Sequence, residues 1–134
     1  MPNFDLHSPA SMPPANGYSH VAALAPGNRL VWTAGQIPMA PDGTVAPTGD
    51  WEAQTRQVFR NLGAALEAGG ATWDDVFKLT FYVVDTSALP IVRKVRDEFV
   101  SVERPPTSTL VQVAALFRPD VMIEVEAVAA VPAG

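Results

Sequence analysis

The spacing of apolar residues along this chain changes several times, and each change marks an element. From Trp51 onward, Trp51, Thr55, Val58, Leu62 and Ala65 recur at intervals of four and three, one face of an amphipathic helix. Gln54, Arg56, Gln57 and Glu67 fall largely off that face. Asp50 is placed to cap the helix start by accepting from an otherwise unpaired N–H, and Gly69-Gly70 predicts a left-handed stop. Between Val76 and Val84 the period drops to two. Phe77, Leu79, Phe81 and Val83 take one side and Lys78, Thr80 and Tyr82 the other, which predicts a strand. A second helix is expected after Ser87, with Pro90 in its first turn. Val92, Val95, Phe99 and Val102 form its buried stripe, and Arg104-Pro105-Pro106 stops it.

Strands are also predicted near both ends. Tyr18 to Leu24 and Arg29 to Ala34 are joined by the turn Pro26-Gly27-Asn28. Thr109 to Leu116 and Val121 to Val131 flank the turn Phe117-Arg118-Pro119-Asp120. Residues 1–17 read as a loose arm rich in Pro, Ser, Asn and Ala, and Pro38 to Gly49 as a surface loop. The order is β-β-α-β-α-β-β, an α+β domain in which two helices cover one face of a single sheet. In the last strand Val121, Ile123, Val125, Ala127, Ala129 and Val131 share that face. Met122, Glu124, Glu126 and Val128 take the opposite one, with Thr80, Tyr82 and Gln112 expected beside them. Such a face is too apolar for solvent and too polar for a core. The expectation is a homo-oligomer that buries it against copies of itself, with pockets where the faces meet.

Composition narrows the functional classes. At 134 residues the chain has the size of one domain, and 48% apolar against 17% charged residues suits a packed core. A net charge of -5 with no run of Lys or Arg argues against nucleic-acid binding and against an anionic membrane surface. There is no cysteine, hence no disulfide and no thiolate nucleophile. The N-terminal residues lack a secretory pattern and no apolar run is long enough to span a membrane, so a cytoplasmic location is expected. His7 and His20 are the only histidines, no ligand spacing surrounds them, and no metal is expected. On a strand, Tyr18 and His20 would share a face.

The candidate chemistry lies in Ile123-Glu124-Val125-Glu126-Ala127. Two carboxylates two residues apart leave the same face of a strand. A carboxyl group held in a half-buried pocket is a candidate for proton transfer, and the alternative is a pair of solvated side chains on a wetted face.

From Tyr18 to Val131 the chain resembles the Rid (YjgF-type) reactive-intermediate deaminases, also called L-PSP endoribonucleases. The resemblance rests on Asn16-Gly17-Tyr18, Thr33-Ala34-Gly35-Gln36-Ile37-Pro38, Gln54 to Leu62 and the closing Ile123 to Ala127. It implies a chorismate-mutase-like fold and a homotrimer whose sheets form a central β-barrel, with small-molecule sites in the clefts between subunits. In the family's active deaminases, water attacks an imine or enamine derived from an amino acid, releasing ammonia and a keto acid. The resemblance assigns the handling of that water to Glu124, a cleft-lining role to Tyr18 and a backbone contact to Gly35. An iminium carbon is already electrophilic, so a carboxylate that orients water and shuttles a proton suffices, without metal or organic cofactor.

The chain departs from the family at one position of consequence. Active deaminases carry an arginine at the start of the penultimate strand, where its guanidinium grips the substrate carboxylate through two parallel bonds. Alignment on Val111-Gln112-Val113 puts Ser108 there, with Thr107 or Thr109 in neighbouring registers. Ser108 and Thr109 thus become candidate ligand contacts, or simply hydroxyls capping a strand start. An amino-acid-derived imine is expected to bind poorly unless Arg93 or Arg118 supplies the charge, and Arg93 is expected on the solvated outer face of the second helix. The reading that follows is a hydrolase acting on a small imine, enamine or related metabolite, not the usual amino-acid-derived imine. The alternative is a non-catalytic trimer that binds a small molecule. RNA cleavage, implied by the older family name, is disfavoured by the acidic balance and the lack of a basic stripe.

Overall fold

A four-stranded mixed sheet sets which residues can meet. The computed structural model describes residues 3–133. Its strands are β1 (Phe4–His7), β2 (Val21–Leu24), β3 (Asn28–Trp32), β4 (Val76–Val83), β5 (Thr107–Gln112) and β6 (Ile123–Pro132), and its helices α1 (Trp51–Ala68) and α2 (Leu89–Arg96). The sheet order is β3-β6-β4-β5, with β6 antiparallel to both neighbours and β5 parallel to β4. A parallel pair needs a long crossover, and α2 lies within it. Both helices lie on one face. Phe59 and Leu62 of α1 and Val92 of α2 are buried against Leu79 and Phe81 of β4 and Val125 of β6. Asp50 caps α1 through its side chain, which accepts from the Ala53 N–H at 2.9 Å.

Several expectations are corrected. β1 and β2 form a separate antiparallel ribbon instead of extending the sheet. The β1 strand falls inside the stretch expected to be a loose arm. Its only apolar residues are Phe4 and Leu6, too few to show alternation, and Phe4 packs on Phe77 and under the Arg104 guanidinium. Helix α2 stops at Arg96 rather than at Arg104. Phe99 turns back into an aromatic cluster, 5.3 Å from Phe59 and 5.7 Å from Trp73, and Val102 is left 59% exposed. Gln54 is wholly buried, not off the helix's inner face. Its amide donates to the carbonyls of Ala46 and Asp120 and accepts from the Met122 N–H at 2.9 Å. One side chain therefore ties the loop before α1 to the entrance of β6, immediately ahead of Glu124.

Register explains a further difference. Leu79, Phe81 and Val83 of β4 lie beside Ser108, Leu110 and Gln112 of β5. The even-numbered residues of β5 therefore face the helices, and the odd-numbered ones face the open side. Gln112 sits on the helix side, where its Oε1 accepts from the Thr86 N–H, and not beside the glutamates as expected. Across β6, Tyr82 is paired with Glu124 and Thr80 with Glu126, so both carboxylates do leave the open face. Leu30, Trp32 and Val111 share that face and are 45%, 68% and 41% exposed.

Candidate active site

Two groups of residues carry the candidate chemistry, one on each face of the sheet. On the helix side, Tyr18, Arg93, Arg96, Ser108 and Leu110 line a cleft of about 170 Å³ between α2 and β5. Tyr18 is brought there by backbone stitching. The Ser19 N–H donates to Pro106 O, the Ser19 hydroxyl donates to Pro105 O at 2.6 Å, and Ser19 bridges Thr107 in parallel. Arg96 is buried, donates to Gly17 O at 2.6 Å and pairs with Asp97. Gly17 has φ +81°, and a Cβ there would stand 3.3 Å from the guanidinium nitrogens of both Arg93 and Arg96. Only glycine suits both the conformation and the close approach. Tyr18 and His20 make an edge-on ring contact at 5.1 Å, in keeping with a shared face.

On the open face, Glu124 lies half-buried against the backbone of Gly35. Thr33 exchanges hydrogen bonds with Ala127, and Gln36 exchanges them with Val125. Ala34 and Gly35 together therefore stand opposite the single residue Glu126, a bulge that folds the chain over the neighbouring Glu124 side chain. A Cβ on Gly35 would overlap that carboxylate, reaching within 2.9 Å of its Cδ. The second glutamate is occupied: the Tyr82 hydroxyl donates to Glu126 Oε1 at 2.9 Å. That bond, then burial and the charges of Glu126 and Glu124, hold the Tyr82 phenol above its ordinary pKa. Among the described residues no ion pair involves Glu124.

Of the five residues singled out in the sequence, Tyr18 and Ser108 come together in the cleft, and Glu124 and Gly35 come together on the opposite face. Thr109 is exposed on the Glu124 side, beside Thr80, so it and Ser108 cannot contact the same ligand within one subunit. Arg93 corrects an expectation. It lines the cleft instead of the solvated outer face, and its Nε is buried with no hydrogen-bond partner. Arg96 went unrecognised. The signal was its spacing of three from Arg93, which stacks two guanidinium groups one helical turn apart. Arg118 is engaged with Asp120 through two bonds of 2.8 and 2.7 Å.

Comparison with known proteins gives one consistent answer. A family model described as Endoribonuclease L-PSP matches residues 9–131. A RutC family protein of Pyrococcus horikoshii is 40% identical over 116 residues, covering 87% of this chain and 88% of its own. A conserved Rid-family protein of unknown function, YyfB of Yersinia pestis, has a crystal structure that superposes with a TM-score of 0.83. It is 30% identical, over 96% of this chain and 99% of its own. The crystal structure of Escherichia coli TdcF with bound serine superposes with a TM-score of 0.67 at 29% identity, over 92% of each chain. The sheet with two helices on one face is the YjgF-type fold, and among the described residues no helix is long and apolar enough to cross a membrane. These relations are consistent with a deaminase-type hydrolytic activity at the level of the family. The chain belongs to the Rid (YjgF, L-PSP endoribonuclease-like) family.

Proposed function

We propose that this protein hydrolyses a small imine or enamine in clefts shared between subunits of a homotrimer, with Glu124 as the general acid and base acting through water. The observation that carries the reading is the free carboxylate of Glu124 held against Gly35 while its neighbour Glu126 is committed to Tyr82. A carboxylate so placed can take a proton from water as it adds to the iminium carbon and return it to the departing amine. Gly35 offers backbone to the same space, and Tyr18 and Ser108 supply hydroxyls from the helix-side cleft.

A shared cleft accounts for the division of these groups. Within one subunit the sheet separates Glu124 from Tyr18 and Ser108, so a complete site needs Glu124 of one copy beside the cleft of the next. The exposed Leu30, Trp32 and Val111 on the Glu124 face supply apolar surface for that association. Serine at 108 removes the family's usual anchor, so an amino-acid-derived imine needs another cation in the cleft to hold its carboxylate. The same serine favours a second reading, a trimer that binds a small metabolite without chemistry.

The test is ammonia release from imines generated by an amino acid oxidase, with and without the protein. Turnover by the wild type and an approximately 10²–10⁴-fold loss in Glu124→Gln, with the trimer retained, supports hydrolysis. Native turnover in Glu124→Gln overturns the role of the carboxylate, and no turnover of any imine leaves the binding reading.

A further inference from the structure

We propose that Arg93 is the anion anchor of the cleft, gripping a ligand carboxylate from helix α2 in place of the arginine missing at position 108. Four observations converge on it. Arg93 and Ser108 line one cleft with Tyr18, so a carboxylate there meets a guanidinium and two hydroxyls. The Arg93 Nε is buried and has no hydrogen-bond partner, although a desolvated N–H on a charged group costs free energy until an acceptor arrives. No ion pair among the described residues includes Arg93, whereas Arg96, one turn away, is neutralised by Asp97 and tied to Gly17 O. Two guanidinium groups therefore line the cleft and only Arg96 is paired with an acid, a local positive excess in a chain of net charge -5. The remaining candidate, Arg118, is already bidentate to Asp120.

The wall from which the charge comes matters. An arginine at 108 would reach into the cleft from β5, while Arg93 reaches from helix α2, with Gly17 close beside its Nε. A small 2-oxo or 2-imino acid would accordingly lie with its carboxylate toward α2 and its reactive carbon turned away from it. The choice of imine as substrate rests on the hydrolytic reading above. The anchor itself does not, because it is read by binding alone.

The probe is 2-oxobutanoate, with butan-2-one as its uncharged counterpart, titrated into ¹⁵N-labelled trimer while the arginine Nε–H resonances are followed. The Arg93 signal, assigned by its loss in Arg93→Gln, should shift on addition of the acid and not of the ketone. Arg93→Gln should weaken binding of the acid about 10- to 100-fold. Arg93→Lys, which keeps the charge but loses the fork, should fall between. Arg118→Gln, at a guanidinium already committed to Asp120 outside the cleft, should bind the acid as the wild type does. Unchanged binding in Arg93→Gln, equal binding of acid and ketone, or no binding by the wild type would each overturn the anchor. If Arg93→Gln loses the acid while Glu124→Gln keeps full turnover, the anchor stands and the hydrolytic role of Glu124 falls.

Discussion

Gly35 leaves its neighbour a carboxylate's width of room, and that sets up a test of geometry separate from chemistry. Gly35→Ala keeps an ordinary backbone conformation but drives Cβ into the Glu124 carboxylate. The clashing atoms are the far end of a flexible side chain, so the carboxylate swings aside and the fold holds. The melting temperature should stay within a few degrees while imine hydrolysis falls by about a hundredfold, the loss expected when a catalytic group moves by roughly an ångström. A variant as active as the wild type would show that this contact does not position the acid. Tyr82 supplies a pH test on the same face. Its raised pKa means that the folded state holds the phenolic proton more tightly than the unfolded chain does. Its contribution to stability is therefore complete below about pH 10 and is lost as the pH climbs through the folded pKa. Denaturation followed between about pH 9 and 11 should show a steeper alkaline loss in the wild type than in Tyr82→Phe. Parallel curves would contradict the assignment.

At the scale of elements, the buried amide of Gln54 connects α1, the preceding loop and the start of β6. Gln54→Leu fills a similar volume but leaves the Ala46 carbonyl and the Met122 N–H without partners and the Asp120 carbonyl with only the Thr48 hydroxyl, and should cost about 3 kcal/mol, read from the urea midpoint. A change below about 0.5 kcal/mol would mean that water replaces the amide. Gln54 also shows where sequence reading stops. Periodicity marked Val58 and Leu62 correctly because their burial depends only on the helix's own face. A glutamine buried by backbone groups 8 and 66 residues away carries no such local mark. Strand β4 was legible for the same reason as the helix, and the separation of Glu124 and Glu126 from the core face followed from a period of two. The opposite directions of Ser108 and Thr109 were equally implicit, but which one enters the cleft depends on the register between β4 and β5, a long-range choice. Arg93 was misplaced because a charged residue beside a buried stripe is ordinarily solvated. What covers it here is the Gly17–Tyr18 segment, which arrives from the other end of the sequence.

For the whole molecule, the proposed trimer rests on the open face of the sheet. Trp32 is 68% exposed beside Leu30 at one edge of the face that carries Glu124, with Val111 exposed at the other edge, an unfavourable arrangement for a lone subunit. Sedimentation of the 14.3 kDa chain should give three times that mass, and Trp32→Glu should shift the population toward the monomer. A wild-type monomer would remove the shared cleft. That the helix-side residues and the acid point to opposite sides of one sheet also has a consequence for mixtures. In the proposed shared cleft, two impaired variants, Arg93→Gln and Glu124→Gln, would each still hold the half that the other lacks. When both are unfolded together and refolded in equal amounts, random partnering should rebuild about a quarter of the clefts from sound halves, so activity at low substrate rises above that of either parent refolded alone.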